Sequence, residues 1–182
     1  MASRRTTILP TQGALDLLKA DHQKISEAFT RFERNRAHSS AAEKQDLVDR
    51  VCIELTIHAA VEEEIFYPAV RLASDAGDVI DQASIEHRSI KQLVGELERM
   101  EPEDALYDAK FKVLGEYVRH HVKEEENEIF PKARKAEIDL QAMGGRILER
   151  KRELRGDEGA PAIPSPRRHV TVSIVRRPST GR

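Results

Sequence analysis

The sequence predicts an all-α fold: an up-down-up-down four-helix bundle over residues 11–135, a short charged helical extension over 136–155 and a disordered basic tail over 156–182, with residues 1–10 a flexible N-terminus. Three observations carry this expectation. Apolar residues recur in alternating steps of three and four, the period of an amphipathic helix and not of a strand. Four such stretches are joined by short linkers, which make sequential helices antiparallel neighbours. Residues 156–182 hold four prolines and no helical period, a composition that cannot bury a core. Within that tail, residues 169–175 alternate like a strand, but a lone strand has nothing to pair with.

The first helix spans about residues 11–36 on the stripe Leu15, Leu18, His22, Ile25, Phe29 and Phe32. The second opens at Ser40, where Glu43 completes a capping box, and carries Leu47, Val51, Leu55, His58, Glu62, Ile65 and Ala69. Residues 74–78, with Gly77, break the chain. The third helix presents Ile80, Ala83, His87, Ile90, Val94 and Leu97. Pro102 suits the first turn of the fourth, whose stripe is Phe111, Leu114, Val118, His121, Glu125 and Ile129. Pro68 and Pro131 fall near the ends of the second and fourth helices. Proline lacks the N–H and clashes one turn back, so each predicts a kink or a stop. Beyond the fourth helix Gly144-Gly145 interrupts the chain, and residues 146–155 read as a short charged helix.

Of 182 residues, 34% are charged, 39% hydrophobic and 4% aromatic, enough for one modest core. A net charge of −2 gives no reason to expect a nucleic-acid partner. The balance is uneven: residues 1–155 carry 25 basic and 30 acidic groups, whereas residues 161–182 carry five Arg and no acid. Cys52 stands alone, which excludes an internal disulfide and a zinc site built on cysteine pairs. No apolar run approaches the ~20 residues of a membrane span, and the N-terminal residues lack a signal-peptide core. The expectation is a cytoplasmic domain without membrane or nucleic-acid contacts.

The chain also repeats itself. Asp21-His22 with Ile25 echoes Glu86-His87 with Ile90, and His58…Glu62 ending at Pro68 echoes His121…Glu125 ending at Pro131. Each half is a helical hairpin giving one His from its first helix and an H-x-x-x-E pair from its second. His and Glu at i and i+4 share one helix face, and all six residues fall on the apolar stripes. Burying an ionised carboxylate without a partner costs several kcal/mol or more. No Lys or Arg lies on the stripes at that level; Lys91 and Lys123 are off them. A metal is the economical answer. Four imidazoles and two carboxylates suit two ions of iron or manganese type, two His to each and the Glu as bridges. A single zinc needs only three or four of these groups. The other bundle pattern for two irons, Glu-x-x-His, is absent.

The paired motifs, followed by EEEIFYP and EEENEIFP, make residues 11–135 resemble the hemerythrin-like HHE cation-binding family. The resemblance implies two iron ions, ahead of manganese, in a non-haem di-iron centre held by His22, His58, Glu62, His87, His121 and Glu125. It implies O2, peroxide or nitric oxide as the small-molecule partner. Oxygen-carrying members place two His four residues apart on the third helix, whereas Ala83 and Lys91 occupy the positions four either side of His87. That departure favours a sensor or scavenger over a reversible carrier, with peroxide consumption open beside plain binding. The alternative is an iron-storage or iron-responsive interaction protein whose centre controls stability and partner binding, with the basic tail contacting a protein.

Other residues are assigned more ordinary places. His120 sits about 100° round the helix from His121 and reads as a surface residue; His38 and His169 read as exposed. Glu63, Glu64, Glu124 and Glu126 read mostly as a solvated face, with one of them a candidate to orient an imidazole. Glu63 or Glu86 is the candidate to fill a gap at a metal. Tyr117 reads as core, with pocket lining the other option, and Cys52 as a small buried residue. Arg176-Arg177-Pro178-Ser179 resembles a basophilic kinase site, a common string.

Overall fold

The computed structural model describes residues 12–156. Seven α-helices follow one another: α1 (Ala14–Asn35), α2 (Ala41–Val61), α3 (Tyr67–Ala73), α4 (Gly77–Leu97), α5 (Tyr107–Glu124), α6 (Phe130–Lys135) and α7 (Leu140–Arg155). Two π-helical turns, Glu62–Phe66 and Glu125–Ile129, join α2 to α3 and α5 to α6 without a break. The four long helices close a ring in which α1 and α4 each pack on α2 and α5. The expected all-α bundle is therefore present, and no strand occurs among the described residues. No helix there is long and apolar enough to cross a membrane. The expectations for the tail, including His169, the strand-like stretch and the kinase-like string, fall outside the described residues.

Local chemistry sets the helix ends. The Ser40 hydroxyl accepts from the Glu43 N–H (3.3 Å) and the Glu43 carboxylate accepts from the Ser40 N–H (2.9 Å), the predicted capping box. Four boundaries differ from expectation. Pro102 precedes α5, because residues 101–106 close on themselves: the Asp104 carboxylate accepts from the Glu101 N–H, and the Asp104 N–H returns to the Glu101 carbonyl, both at 2.9 Å. Pro68 and Pro131 do not end the helical run. The Tyr67 and Phe130 N–H groups reach back five residues, to the Glu62 and Glu125 carbonyls. That wider turn moves aside the carbonyl a proline ring would strike. Finally, α7 runs through Gly144-Gly145. Asp139 caps it by accepting from the Gln141 and Ala142 N–H groups, and a Cβ on Gly144 would collide with the Gln12 carbonyl. The glycine thus serves close packing and not a break.

The apolar core lies in two clusters. One gathers Leu15, Leu18, Val61, Phe66, Val70 and Phe130, and Met143 and Ile147 of α7 join it. The other gathers Ile25, Phe29, Leu55, Ile90, Phe111 and Val118. A Cβ on Gly115 would sit 2.9 Å from the Phe29 ring, so its absence lets α5 close on α1. On every long helix the residues between the two clusters are polar: His22, His58 with Glu62, His87, and His121 with Glu125. All six are 5% exposed or less, so they form a buried polar layer across the bundle.

Candidate metal centre

The polar layer places imidazole nitrogens against each other. His22 Nε2 lies 3.1 Å from His58 Nε2, and His87 Nε2 lies 3.1 Å from His121 Nε2. Glu62 reaches across both pairs, with Oε1 3.0 Å from His58 Nε2 and Oε2 3.3 Å from His87 Nε2. Glu125 Oε2 is 3.2 Å from His22 Nε2. Two groups of ligand atoms result, His22, His58, Glu62 and Glu125, and Glu62, His87 and His121, each with all atoms within 4.8 Å of one another. Glu62 belongs to both.

The outer face of each ring explains this orientation. Every Nδ1–H donates to a carboxylate: His22 to Glu126 (2.8 Å), His58 to Asp21 (3.1 Å), His87 to Glu63 (2.9 Å) and His121 to Glu86 (2.8 Å). With the proton on Nδ1, the lone pair of each Nε2 points inward. Opposed lone pairs 3.1 Å apart repel, and the adjacent carboxylates add negative charge. Glu62 Oε1 and both oxygens of Glu125 are buried without an aligned hydrogen-bond donor. A cation relieves all of this at once, so the donor set fits metal ions.

Without a cation, protons must supply the positive charge. Burial works against a charged His58, yet Glu62 and Asp21 overcome it and raise the imidazole to about 10. His87 is likewise raised to about 9 against burial, by Glu62 and Glu63. The two central carboxylates part ways. Glu62 is held well below the usual range because His58 and His87 outweigh burial, whereas burial and the Glu62 charge push Glu125 upward.

The chain matches the hemerythrin HHE cation binding domain over residues 13–133. It belongs to that family. Among relatives of this HHE protein, an uncharacterized Mycobacterium tuberculosis (strain ATCC 25618 / H37Rv) protein is 27% identical over 146 residues, 79% of this chain and 88% of the relative. A homologue of that protein from Mycobacterium kansasii, solved as an HHE cation binding domain-containing protein, shares the fold with a TM-score of 0.68 at 24% identity, covering 80% of this chain and 89% of that one. A DNA nickase of Nostoc sp. is 27% identical over 115 residues, 63% of this chain. The HHE chain spans only 32% of that nickase, so nicking is a statement about the larger protein.

All six residues predicted for the centre of this HHE protein lie in the buried layer. Both Glu are expected from sequence to span the pair of sites; the structure gives that geometry to Glu62, while Glu125 falls in one ligand group. Neither Glu63 nor Glu86 enters a central group; both point their carboxylates at outer Nδ1 atoms. His120 is exposed, as read from its phase, and His38 is exposed in its loop. Cys52 is buried. Tyr117, expected in the core, is instead 48% exposed, because its place on α5 lies outside the Leu114, Val118 and His121 stripe. Tyr67 is the tyrosine that reaches the layer. It is buried, stacks on His87 with ring centroids 5.6 Å apart, and its hydroxyl donates to Glu62 Oε2 at 3.4 Å. Its signal in the sequence is its place before the repeated proline. The four outer carboxylates have one too, since an acidic residue precedes His22 and His87 and follows Glu62 and Glu125.

Proposed function

We propose that this HHE domain holds two iron ions on His22, His58, Glu62, His87, His121 and Glu125, and acts as a sensor or scavenger of O2, peroxide or nitric oxide. The observation that carries the reading is Glu62, one carboxylate with an oxygen facing each imidazole pair. When bound, the irons supply one-electron redox steps and open positions for a small ligand.

The chain's own residues set what reaches those positions. The outer carboxylates fix each imidazole by its Nδ1–H, so every inward donor atom is held in place. On the imidazole side, Ile25, Leu55, Ile90 and Val118 enclose a cavity of about 10 Å³ with an apolar lining. That space is about that of one water molecule, so it admits only the smallest ligands. Ala83 is buried but has no donor, and Lys91 turns away to pair with Glu63 at 2.6 Å. Helix α4 therefore brings His87 alone, which supports turnover or sensing over reversible carriage.

Metal analysis and an optical spectrum of aerobically purified protein test this. Two irons per chain with a near-ultraviolet charge-transfer band are expected, and reduced protein mixed with O2 should oxidise quickly. Iron-free protein, or a stable oxygenated spectrum that reverts on deoxygenation without peroxide turnover, would overturn the reading. A second reading, an iron-responsive interaction protein, draws on Lys151. This buried α7 residue pairs with Asp21, the acceptor of the His58 Nδ1–H, and so ties α7 to the centre.

A further inference from the structure

The centre is sealed by helices, so an ion needs a way in. Besides the apolar hollow against the four imidazoles, two others reach the polar layer, and they differ in charge. The hollow between α1 and α5 touches His22 but carries Arg119 and Lys123 on its rim, against the single carboxylate of Glu126. The opposite cleft, where α4 meets α5 and the second π turn, is lined by Glu86, Glu124, Glu125 and Glu128, with no Lys or Arg. It reaches His121, passes Ala83 and has a free volume of about 10 Å³.

At that cleft, Glu86, His120 and Glu124 each offer a ligand atom within 4.8 Å of the others. His120 Nε2 is 3.2 Å from Glu124 and 3.5 Å from Glu86. These three residues are partly or fully exposed, unlike the central six. Deeper in the same cleft lies Glu125 of the central layer, which is 1% exposed and whose oxygens lack an aligned donor. Glu86 connects the two levels, with Oε1 toward His120 and Oε2 accepting from His121 Nδ1.

We propose that Glu86, His120 and Glu124 form an uptake site for a divalent transition-metal cation on its way to the buried centre. The mixed imidazole and carboxylate set replaces the water that a hydrated ion must shed to enter so narrow a cleft. The Glu125 carboxylate then receives the partly dehydrated ion. The basic rim of the other opening turns cations away, so the acidic cleft is the entrance for metal. This rests on the reading that the centre holds metal.

The test tracks metal and not catalysis. Chelator-treated wild type, His120→Ala and Glu124→Gln are mixed with limiting Fe(II) or Co(II), and the loading rate and final content are recorded separately. Both variants should load about tenfold more slowly and reach the wild-type content, because neither residue belongs to the central groups. In wild type with a filled centre, added Mn(II) should broaden the His120 ring proton signals before those of His38. Unchanged loading rates in both variants, or broadening of His38 and His120 alike, would overturn the uptake site while leaving the centre intact. Wild type that takes up no metal at all would remove the central reading as well.

Discussion

The two hairpins of the bundle share a plan and differ by one hydroxyl. In each, an aromatic residue just before the repeated proline stacks on the first His of the other hairpin: Tyr67 on His87, and Phe130 on His22 at 5.8 Å. The Tyr67 hydroxyl donates a hydrogen bond to Glu62. Phe130 has no hydroxyl, and neither Glu125 oxygen has an aligned donor, although His22 Nε2 stands 3.2 Å from Oε2. The surroundings differ as well. Asp21 of the first hairpin pairs with Lys151 of α7, whereas Glu86 of the second lies beside the exposed His120. A repeated sequence has thus become two halves with different partners, and the carboxylate that spans both imidazole pairs is in the half that α7 braces.

The largest expected effect compares the two central carboxylates. Glu62→Ala should leave less than one metal per chain, and Glu125→Ala about one, by elemental analysis of purified protein. Equal contents would mean the halves are equivalent. Next comes Lys151→Met, which strands the Asp21 carboxylate in a site where the pair is 6% and 15% exposed. Breaking one side of such a pair costs about 3 kcal/mol, read by urea denaturation. A loss no larger than that of an exposed lysine variant would show that α7 is not coupled to the centre.

Tyr67→Phe should make the halves alike. Removing a buried donor costs about 1 kcal/mol in chelator-treated protein, and Phe130→Tyr in the same chain should restore part of it. Absence of any rescue would mean the hydroxyl serves only its own half. The smallest effect sits at the helix starts, where the halves differ again: α2 opens on a capping box and α5 on Leu106 with no side-chain cap. The Ser40 N–H and hydroxyl hold the Glu43 carboxyl below its ordinary 4.5. Its contribution is therefore present above that pH and lost as pH falls through the folded value. Glu43→Gln should be less stable than wild type near neutrality, with the gap closing in acid. A pH-independent gap would count against the charge-assisted cap.

Much of the fold is legible in the sequence because burial imposes period. The stripes through Leu18, Leu55, Ile90 and Val118 locate the long helices, and the polar interruptions on them locate the six central residues. What escapes depends on contacts between distant segments. Gly144 reads as a breaker because nothing nearby in the chain announces the Gln12 backbone packed against it. Pro68 and Pro131 read as kinks or stops, since a propensity argument sees a lost N–H but not a wider turn that accommodates the ring. Tyr117 and Tyr67 cannot be ranked by distance along the chain, because the π turn changes the face on which Tyr67 emerges. Asp21 reads as an ordinary helical acid and Glu86 as a candidate to fill a gap at a metal, whereas the role of each comes from an imidazole on a neighbouring helix.

The two π turns also fix a length. In an α-helix, five residues advance about 500°, leaving the fifth about 140° away from the first. The wider turn brings Tyr67 back toward Glu62, so that the hydroxyl and the carboxylate meet. The spacing between carboxylate and proline is therefore a matter of phase. Glu64 is exposed there and bonds outward to Arg150 at 2.7 Å, so its side chain is replaceable. Its place in the count is not. One residue fewer between Glu62 and Pro68 would rotate all of α3 about the bundle and carry Tyr67 and Val70 out of the core, whereas the turn at residues 101–106 can change length without moving any group of the centre.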